Sequence, residues 1–85
     1  MLLPLTEIQT KVFVAINSYI DTNGYSPTIP EICKAVERKG VTSELTALKK
    51  KGWVTKAEDR GMRALEVTDE AKERVKDDSQ LKLGI

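Results

Sequence analysis

Small hydroxyl-bearing side chains and lysines are grouped in one stretch of the sequence, VTSELTALKKKG at positions 41–52. At about 100° per residue, the apolar residues of this stretch lie on one side of a helix. The opposite side carries Ser43, Thr46, Ala47 and Lys50, with Thr42 and Lys49 at its edges. Hydroxyl and ammonium groups bind base edges and phosphates, and a slim helix fits a major groove about 12 Å wide. The stretch therefore has the chemistry of a DNA-reading helix.

The same lysines also have a purely structural interpretation. Lys49, Lys50 and Lys51 occupy the last turn before Gly52. Cations in that position interact favourably with the helix dipole, and glycine favours the C-terminal cap. The helix alone leaves both interpretations open, so the rest of the chain has to decide between them.

Positive charge is concentrated around this helix, although the whole chain has a net charge of only +1. Residues 32–63 hold nine basic and four acidic side chains, a balance of +5. Residues 1–31 hold one basic and three acidic side chains, and residues 64–85 hold four and six, so each end has a balance of −2. A basic middle is typical of a nucleic-acid-binding surface. Solvated charge with no partner is the alternative.

The composition disfavours several classes of protein. The 85 residues suffice for one domain, and no apolar run approaches the roughly 20 residues of a membrane span. The start of the chain lacks the features of a secretory signal. Cys33 is the only cysteine and there is no histidine, which excludes an internal disulfide and disfavours a metal site. We expect a cytoplasmic, nucleoid-associated protein that is not an enzyme and needs no cofactor or metal.

A first capping box predicts a long helix before the basic stretch. Thr6 with Gln9 three residues later opens helix 1 over about 7–22, and Gly24 ends it. Apolar residues recur at helical spacing over a broad arc of this helix. We therefore expect helix 1 to be a central support that packs on more than one neighbour.

A second capping box, Thr28 with Glu31, opens a short helix 2 that continues through Val36. A tight, basic turn over 37–40, which ends in glycine, then leads into helix 3 at about Val41. Two short helices joined by such a turn form a helix-turn-helix, whose second helix is available for the DNA groove.

Strand-forming residues follow helix 3. The segments 53–57 and 62–67 are predicted strands, joined by a hairpin turn that brings Arg60 and Arg63 near its tip. Such a hairpin needs the helices for support, and Trp53 is the expected anchor. A hairpin beside a helix-turn-helix is a winged helix, whose wing can lie along the phosphate backbone.

A fourth helix is predicted after the wing. Thr68 is its expected N-cap, and the helix reaches about Asp77. Residues 78–85 have no clear period and are expected to form a disordered tail. The fold class is therefore mainly α with a small β-hairpin, in the order helix, helix, helix, strand, strand, helix, with one winged helix-turn-helix domain over 1–77.

The run from Leu5 to Leu65 resembles the DNA-binding domain of the LexA repressors. The matching pieces are LTEIQTKVFVAI, NGYSPTIPEI, LTALKKKGWV and RGMRAL, in that order and at similar separations, over about 60 of the 85 residues. The resemblance implies a three-helix winged fold, a helix 3 that enters the major groove, and transcriptional repression.

The sequence also departs from the family pattern. The connection between Ile32 and Leu45 is shorter by a few residues, and the Ser-x-Asn-Ala run that reads bases in the family has no counterpart. The self-cleaving protease half, with its Ser/Lys dyad, has no counterpart in these 85 residues. We expect a stand-alone small regulator of the kind that phages and mobile elements carry; a fragment of a longer repressor is the alternative.

Two classes of function remain. The leading hypothesis is a sequence-specific regulator of transcription that binds double-stranded DNA, expected to be a repressor and to pair as a homodimer through helix 4 and the tail. Phosphates would be held by Lys39, Lys49, Arg60 and Arg63, with help from Thr28 at the start of helix 2, and base edges would be read by Thr42, Ser43, Thr46 and Lys50. The alternative is a protein-interaction module, such as an antirepressor or an inhibitor of a host polymerase or replication factor. Glu44 on the reading helix and the acidic ends of the chain favour this alternative.

Overall fold

A computed structural model of the chain describes residues 2–56 and 65–77. The elements are α1 (Glu7–Asn23), α2 (Ile29–Val36), α3 (Thr42–Lys50), β1 (Val54–Lys56), β2 (Leu65–Val67) and α4 (Asp69–Asp77). The predicted order and the winged helix-turn-helix class are confirmed. The predicted hairpin turn lies outside the described residues. Within the described part of the chain, no helix has the length and apolar character needed to cross a membrane.

Helix α1 is the centre of the fold. Val12, Phe13 and Ile16 on this helix are completely buried, and α1 contacts both α2 and α3. The predicted capping box is present, because the Gln9 N–H donates to the Thr6 hydroxyl and the Thr6 N–H donates to the Gln9 side chain. The predicted role of α1 as a central support is confirmed.

Helix α3 is held by its apolar side and by a glycine turn at its end. Val41, Leu45 and Leu48 are buried against the core, as their spacing predicts. Gly52 has a φ of 86°, and its N–H donates to the carbonyl of Lys49, while the N–H of the next residue donates to the carbonyl of Leu48. This pair of bonds is a Schellman motif, which satisfies carbonyls at the helix end.

Trp53, immediately after this turn, joins α3 to the N-terminal segment. Trp53 is 4% exposed, and its ring meets that of Phe13 edge-on, with the ring centroids 5.0 Å apart. Its indole Nε1–H donates to the carbonyl of Leu3 over 2.7 Å, and the N–H of Leu3 donates to the carbonyl of Lys51 over 3.2 Å. The prediction that Trp53 is an anchor is therefore confirmed. Trp53 also binds the N-terminal segment through Leu3.

The hairpin rests on the same region. Strand β1 pairs antiparallel with β2, with Val54 opposite Val67, and both residues are buried. The hydroxyl of Thr68 donates to the carbonyl of Gly52 over 2.6 Å and accepts from the N–H of Ala71 over 3.2 Å. The predicted N-cap of α4 is thus confirmed, and the same side chain ties α4 to the end of α3.

The turn between α2 and α3 contains a left-handed residue that is not glycine. This residue is Glu37, at φ 56° and ψ 46°, whereas Gly40 does not have a positive φ. The N–H of Glu37 donates to the carbonyl of Lys34, and the N–H of Arg38 donates to the carbonyl of Cys33, which again forms a Schellman motif. A residue with a Cβ is strained in this conformation by about 1–2 kcal/mol.

Replacing Glu37 by glycine is expected to stabilise the fold. Glycine relieves the left-handed strain but adds freedom to the unfolded chain, so the net gain in the free energy of unfolding is about 0.5–1 kcal/mol. Gly24→Ala is the matched opposite change, because Gly24 has a φ of 80° and an added Cβ there would meet no atom within 4 Å. Urea unfolding should show a higher free energy of unfolding for Glu37→Gly and a lower one for Gly24→Ala. A lower value for both variants would contradict the inferred strain at Glu37.

Candidate nucleic-acid interface

The polar side of α3 forms a continuous exposed surface opposite the buried stripe. We call this surface the α3 face, and it consists of five exposed residues: Thr42, Ser43, Thr46, Lys49 and Lys50. The predicted division of the helix into a core side and an exposed side is therefore confirmed. Ala47, expected on the exposed side, is half-buried.

Helix α3 begins without a side-chain cap. Its N-cap residue, Val41, has no side-chain acceptor and is buried in the core. By contrast, Thr6 and Thr28 accept hydrogen bonds from N–H groups in the first turns of α1 and α2. The first N–H groups of α3 therefore need water or a ligand as their hydrogen-bond acceptor. The helix dipole favours an anion at this end of the helix. A DNA phosphate has the required charge and acceptor atoms.

One hydroxyl of the α3 face has a defined hydrogen bond. The Oγ1 of Thr46 donates to the carbonyl oxygen of Thr42, one turn earlier, over 3.0 Å. Because Oγ1 and the methyl group share the same Cβ, this bond sets the orientation of the whole side chain. Thr46 thus presents a definite arrangement of oxygen and methyl group at the middle of the face.

The three consecutive lysines at the end of α3 do not share one environment. Lys51 is half-buried, and its Nζ donates to the Oε1 of Gln9 over 2.6 Å. That same oxygen accepts the N–H of Thr6 in the capping box of α1. Lys49 and Lys50 are both exposed. The run therefore provides two cations to the surface and one that binds α1.

Thr28, predicted to contact a phosphate, is engaged within the protein. Its hydroxyl donates to the Oε1 of Glu31 over 3.0 Å, and its N–H donates to the same oxygen over 2.8 Å. The other carboxylate oxygen, Oε2, accepts from the hydroxyl of Tyr19 over 2.8 Å. A carboxylate thus lies where the phosphate was expected, which disfavours a phosphate contact by Thr28; the contact remains a prediction.

The remaining predicted residues are divided between the described and undescribed parts of the chain. Lys39 is exposed in the turn between α2 and α3. Arg60 and Arg63 lie outside the described residues. Three further cations between residues 32 and 56 are also exposed, namely Lys34, Arg38 and Lys56. Their signal was the +5 balance of residues 32–63, which counts them without showing which are exposed.

The described residues form a basic helix-turn-helix with a short hairpin beside it. A family model also matches the sequence of this part of the chain. The model of the LexA DNA-binding domain covers residues 2–64. The chain belongs to the LexA DNA-binding domain family. The resemblance inferred from the sequence pieces is confirmed, and the matched range includes the whole of α3 and β1.

Curated relatives agree with this assignment. The LexA repressor of Pseudothermotoga lettingae is 42% identical over 62 residues, which cover 71% of this chain and 29% of the relative. The LexA repressor of Thermosipho melanesiensis is 44% identical over 54 residues, covering 61% of this chain and 27% of the relative. The LexA repressor of Thermotoga neapolitana is 36% identical over 73 residues, which cover 84% of this chain and 36% of the relative. The chain thus spans about a third of the length of these relatives.

The core side and the exposed side of α3 should differ sharply in their effect on stability. Leu45 is 5% exposed, so Leu45→Ala is expected to lower the free energy of unfolding by about 2–5 kcal/mol. The neighbouring substitution Thr46→Ala, at an exposed position, is expected to change it by no more than about 0.5 kcal/mol. Urea unfolding of both variants measures the difference; equal losses would mean that the α3 face is packed against the protein.

Proposed function

We propose that this chain is a sequence-specific regulator of transcription, acting as a repressor, and that the α3 face enters the major groove of double-stranded DNA. The observation that carries the proposal is the exposed surface of hydroxyl and ammonium groups on the second helix of a LexA-type helix-turn-helix. Phosphate contacts position such a helix, and base contacts supply its sequence preference. The proposed site of action is the nucleoid in the cytoplasm, without a catalytic step or a cofactor.

The residues of the α3 face divide into two roles in this proposal. Thr42, Ser43, Thr46 and Lys50 face base edges. Lys49, at the edge of the face, and Lys39, in the turn before α3, bind phosphates, and the uncapped N-terminus of α3 adds N–H donors to another phosphate. Exposure of all these side chains supports the assignment. The internal hydrogen bonds of Thr28 leave it the weakest member of the proposed set.

The hairpin is proposed to act as a wing on the DNA backbone, with Arg60 and Arg63 as its phosphate-binding residues. The antiparallel pairing of β1 with β2 supports this proposal, because both arginines fall in the connection between the two strands. Lys56, exposed at the end of β1, would extend the same basic edge.

A two-fold dimer is proposed to complete the DNA complex, with α4 and the residues after it as the contact. A single small module buries roughly 600–1,000 Å² on DNA, and pairing on a palindromic site doubles this area. The exposed residues of α4 between 72 and 76 are all charged: Lys72, Glu73, Arg74 and Lys76. Such a contact would rely on ion pairs, which salt screens.

DNA-binding titrations at increasing salt should therefore show the number of chains bound per DNA site falling from two to one.

The proposed phosphate contact of Lys49 is tested against Lys51. Lys49→Ala should weaken binding to all duplexes evenly and reduce the slope of log affinity against log salt by about 0.9. Lys51→Ala removes the same charge from an ammonium group that binds Gln9, so the slope should stay unchanged while stability falls slightly. Fluorescence anisotropy at several salt concentrations measures both. An equal change in the two slopes would contradict a specific contact at Lys49.

The wing is tested by the double change Arg60→Ala and Arg63→Ala. Loss of two phosphate contacts should lower the salt slope by about 1.8 and leave the preferred sequence unaltered. The same anisotropy series and a binding-site selection measure these two quantities. An unchanged slope would mean that the wing lies away from DNA. If the Lys49 variant also bound as the wild type does, neither the α3 face nor the wing would be the DNA-binding surface; a wild type that bound no duplex at all would favour the protein-interaction hypothesis.

A further inference from the structure

The hydrogen bond of Thr46 restricts what this residue can do at a base edge. A threonine hydroxyl has one hydrogen to donate and two lone pairs that accept. In this structure the hydrogen is donated to the carbonyl oxygen of Thr42 over 3.0 Å, and the side chain is exposed. While this bond is kept, the outward-facing capacity of Oγ1 is acceptance alone.

An acceptor discriminates between the bases of a major groove. On any one strand, adenine presents its N6 amino group and cytosine its N4 amino group, and these are the hydrogen-bond donors of the groove. Guanine presents N7 and O6, and thymine presents O4, all of which are acceptors. An oxygen whose hydrogen is already donated can bond to the first pair of bases and repels the second.

We propose that Thr46 is a specificity-determining residue that accepts a hydrogen bond from a base amino group, so that adenine or cytosine is selected over guanine or thymine on the strand that it faces. The inference rests on the proposed placement of the α3 face in the major groove. It goes beyond that placement because it names the chemical class of base that this position recognises.

A second residue that is proposed to face base edges provides an internal contrast. Lys50 lies one helical turn beyond Thr46 and carries an ammonium group, which only donates. Guanine, with its two acceptors N7 and O6, is therefore the base that Lys50 binds best, and cytosine, which presents only a donor, is the base that it rejects. The two residues together would read an amino base and an acceptor-rich base at neighbouring positions of the DNA site, and each can be changed without the other.

The first experiment is a binding-site selection with the wild type, Thr46→Val, Thr46→Ser and Lys50→Met. Valine keeps the size and one methyl group of threonine but has no oxygen, whereas serine keeps the hydroxyl. Thr46→Val should reduce the preference for adenine or cytosine at one position by about 5- to 10-fold, and Thr46→Ser should retain it. Lys50→Met should relax a different position. A wild-type preference for thymine that survives in Thr46→Val would indicate methyl contact and would overturn the proposal.

The second experiment removes the amino group from the DNA. In the selected site, adenine is replaced by purine, or cytosine by pyrimidin-2-one, according to which base the selection returns. The wild type should lose about 5- to 10-fold in affinity, and Thr46→Val should lose nothing further, because the two changes remove the same bond. Equal losses in both proteins would overturn the role of Thr46 while leaving DNA binding intact. Absence of any sequence preference in the wild type would instead remove the proposed function, and this inference with it.

Discussion

The junction at the end of α3 is the constraint on which the rest of the structure depends. The left-handed Gly52 reverses the chain so that Trp53 can pack edge-on against Phe13 of α1. The carbonyl groups of both junction residues accept hydrogen bonds from Thr68, the cap of α4. The N-terminal segment is bonded there through Leu3. Because α3, the hairpin, α4 and the start of the chain all meet at this point, the orientation of the α3 face is determined by the whole domain.

Helix α3 has a buried side and a polar side, and the helical repeat keeps the two apart. A packed side holds α3 against the core, and the proposed contact with DNA needs a polar side. With about 3.6 residues per turn, Val41, Leu45 and Leu48 enter the core while the α3 face remains in solvent. The interactions at the end of the helix reinforce this separation, because Lys51 is withdrawn to Gln9 and leaves the surface cations to its two neighbours.

Much of the fold could be predicted from the sequence, because its signals are local. Capping boxes and helical periodicity identify α1, α2 and the buried side of α3 within a few positions. The left-handed Glu37 could not be predicted, because glycine is the usual signal for that conformation and Gly40 stands nearby. The bond between Lys51 and Gln9 joins residues 42 positions apart, so no local pattern reveals it. The exposed α3 face was predictable from spacing, whereas the donor role of the Thr46 hydroxyl required coordinates.

The attachment of the N-terminal segment has a practical consequence for protein engineering. Leu3 exchanges hydrogen bonds with the end of α3 through the N–H that it donates to Lys51 and the carbonyl that accepts from Trp53. Any affinity tag or fluorescent fusion placed before residue 2 therefore emerges beside the last turn of α3. In the proposed DNA complex, a bulky fusion partner there would lie next to the end of the helix that enters the groove.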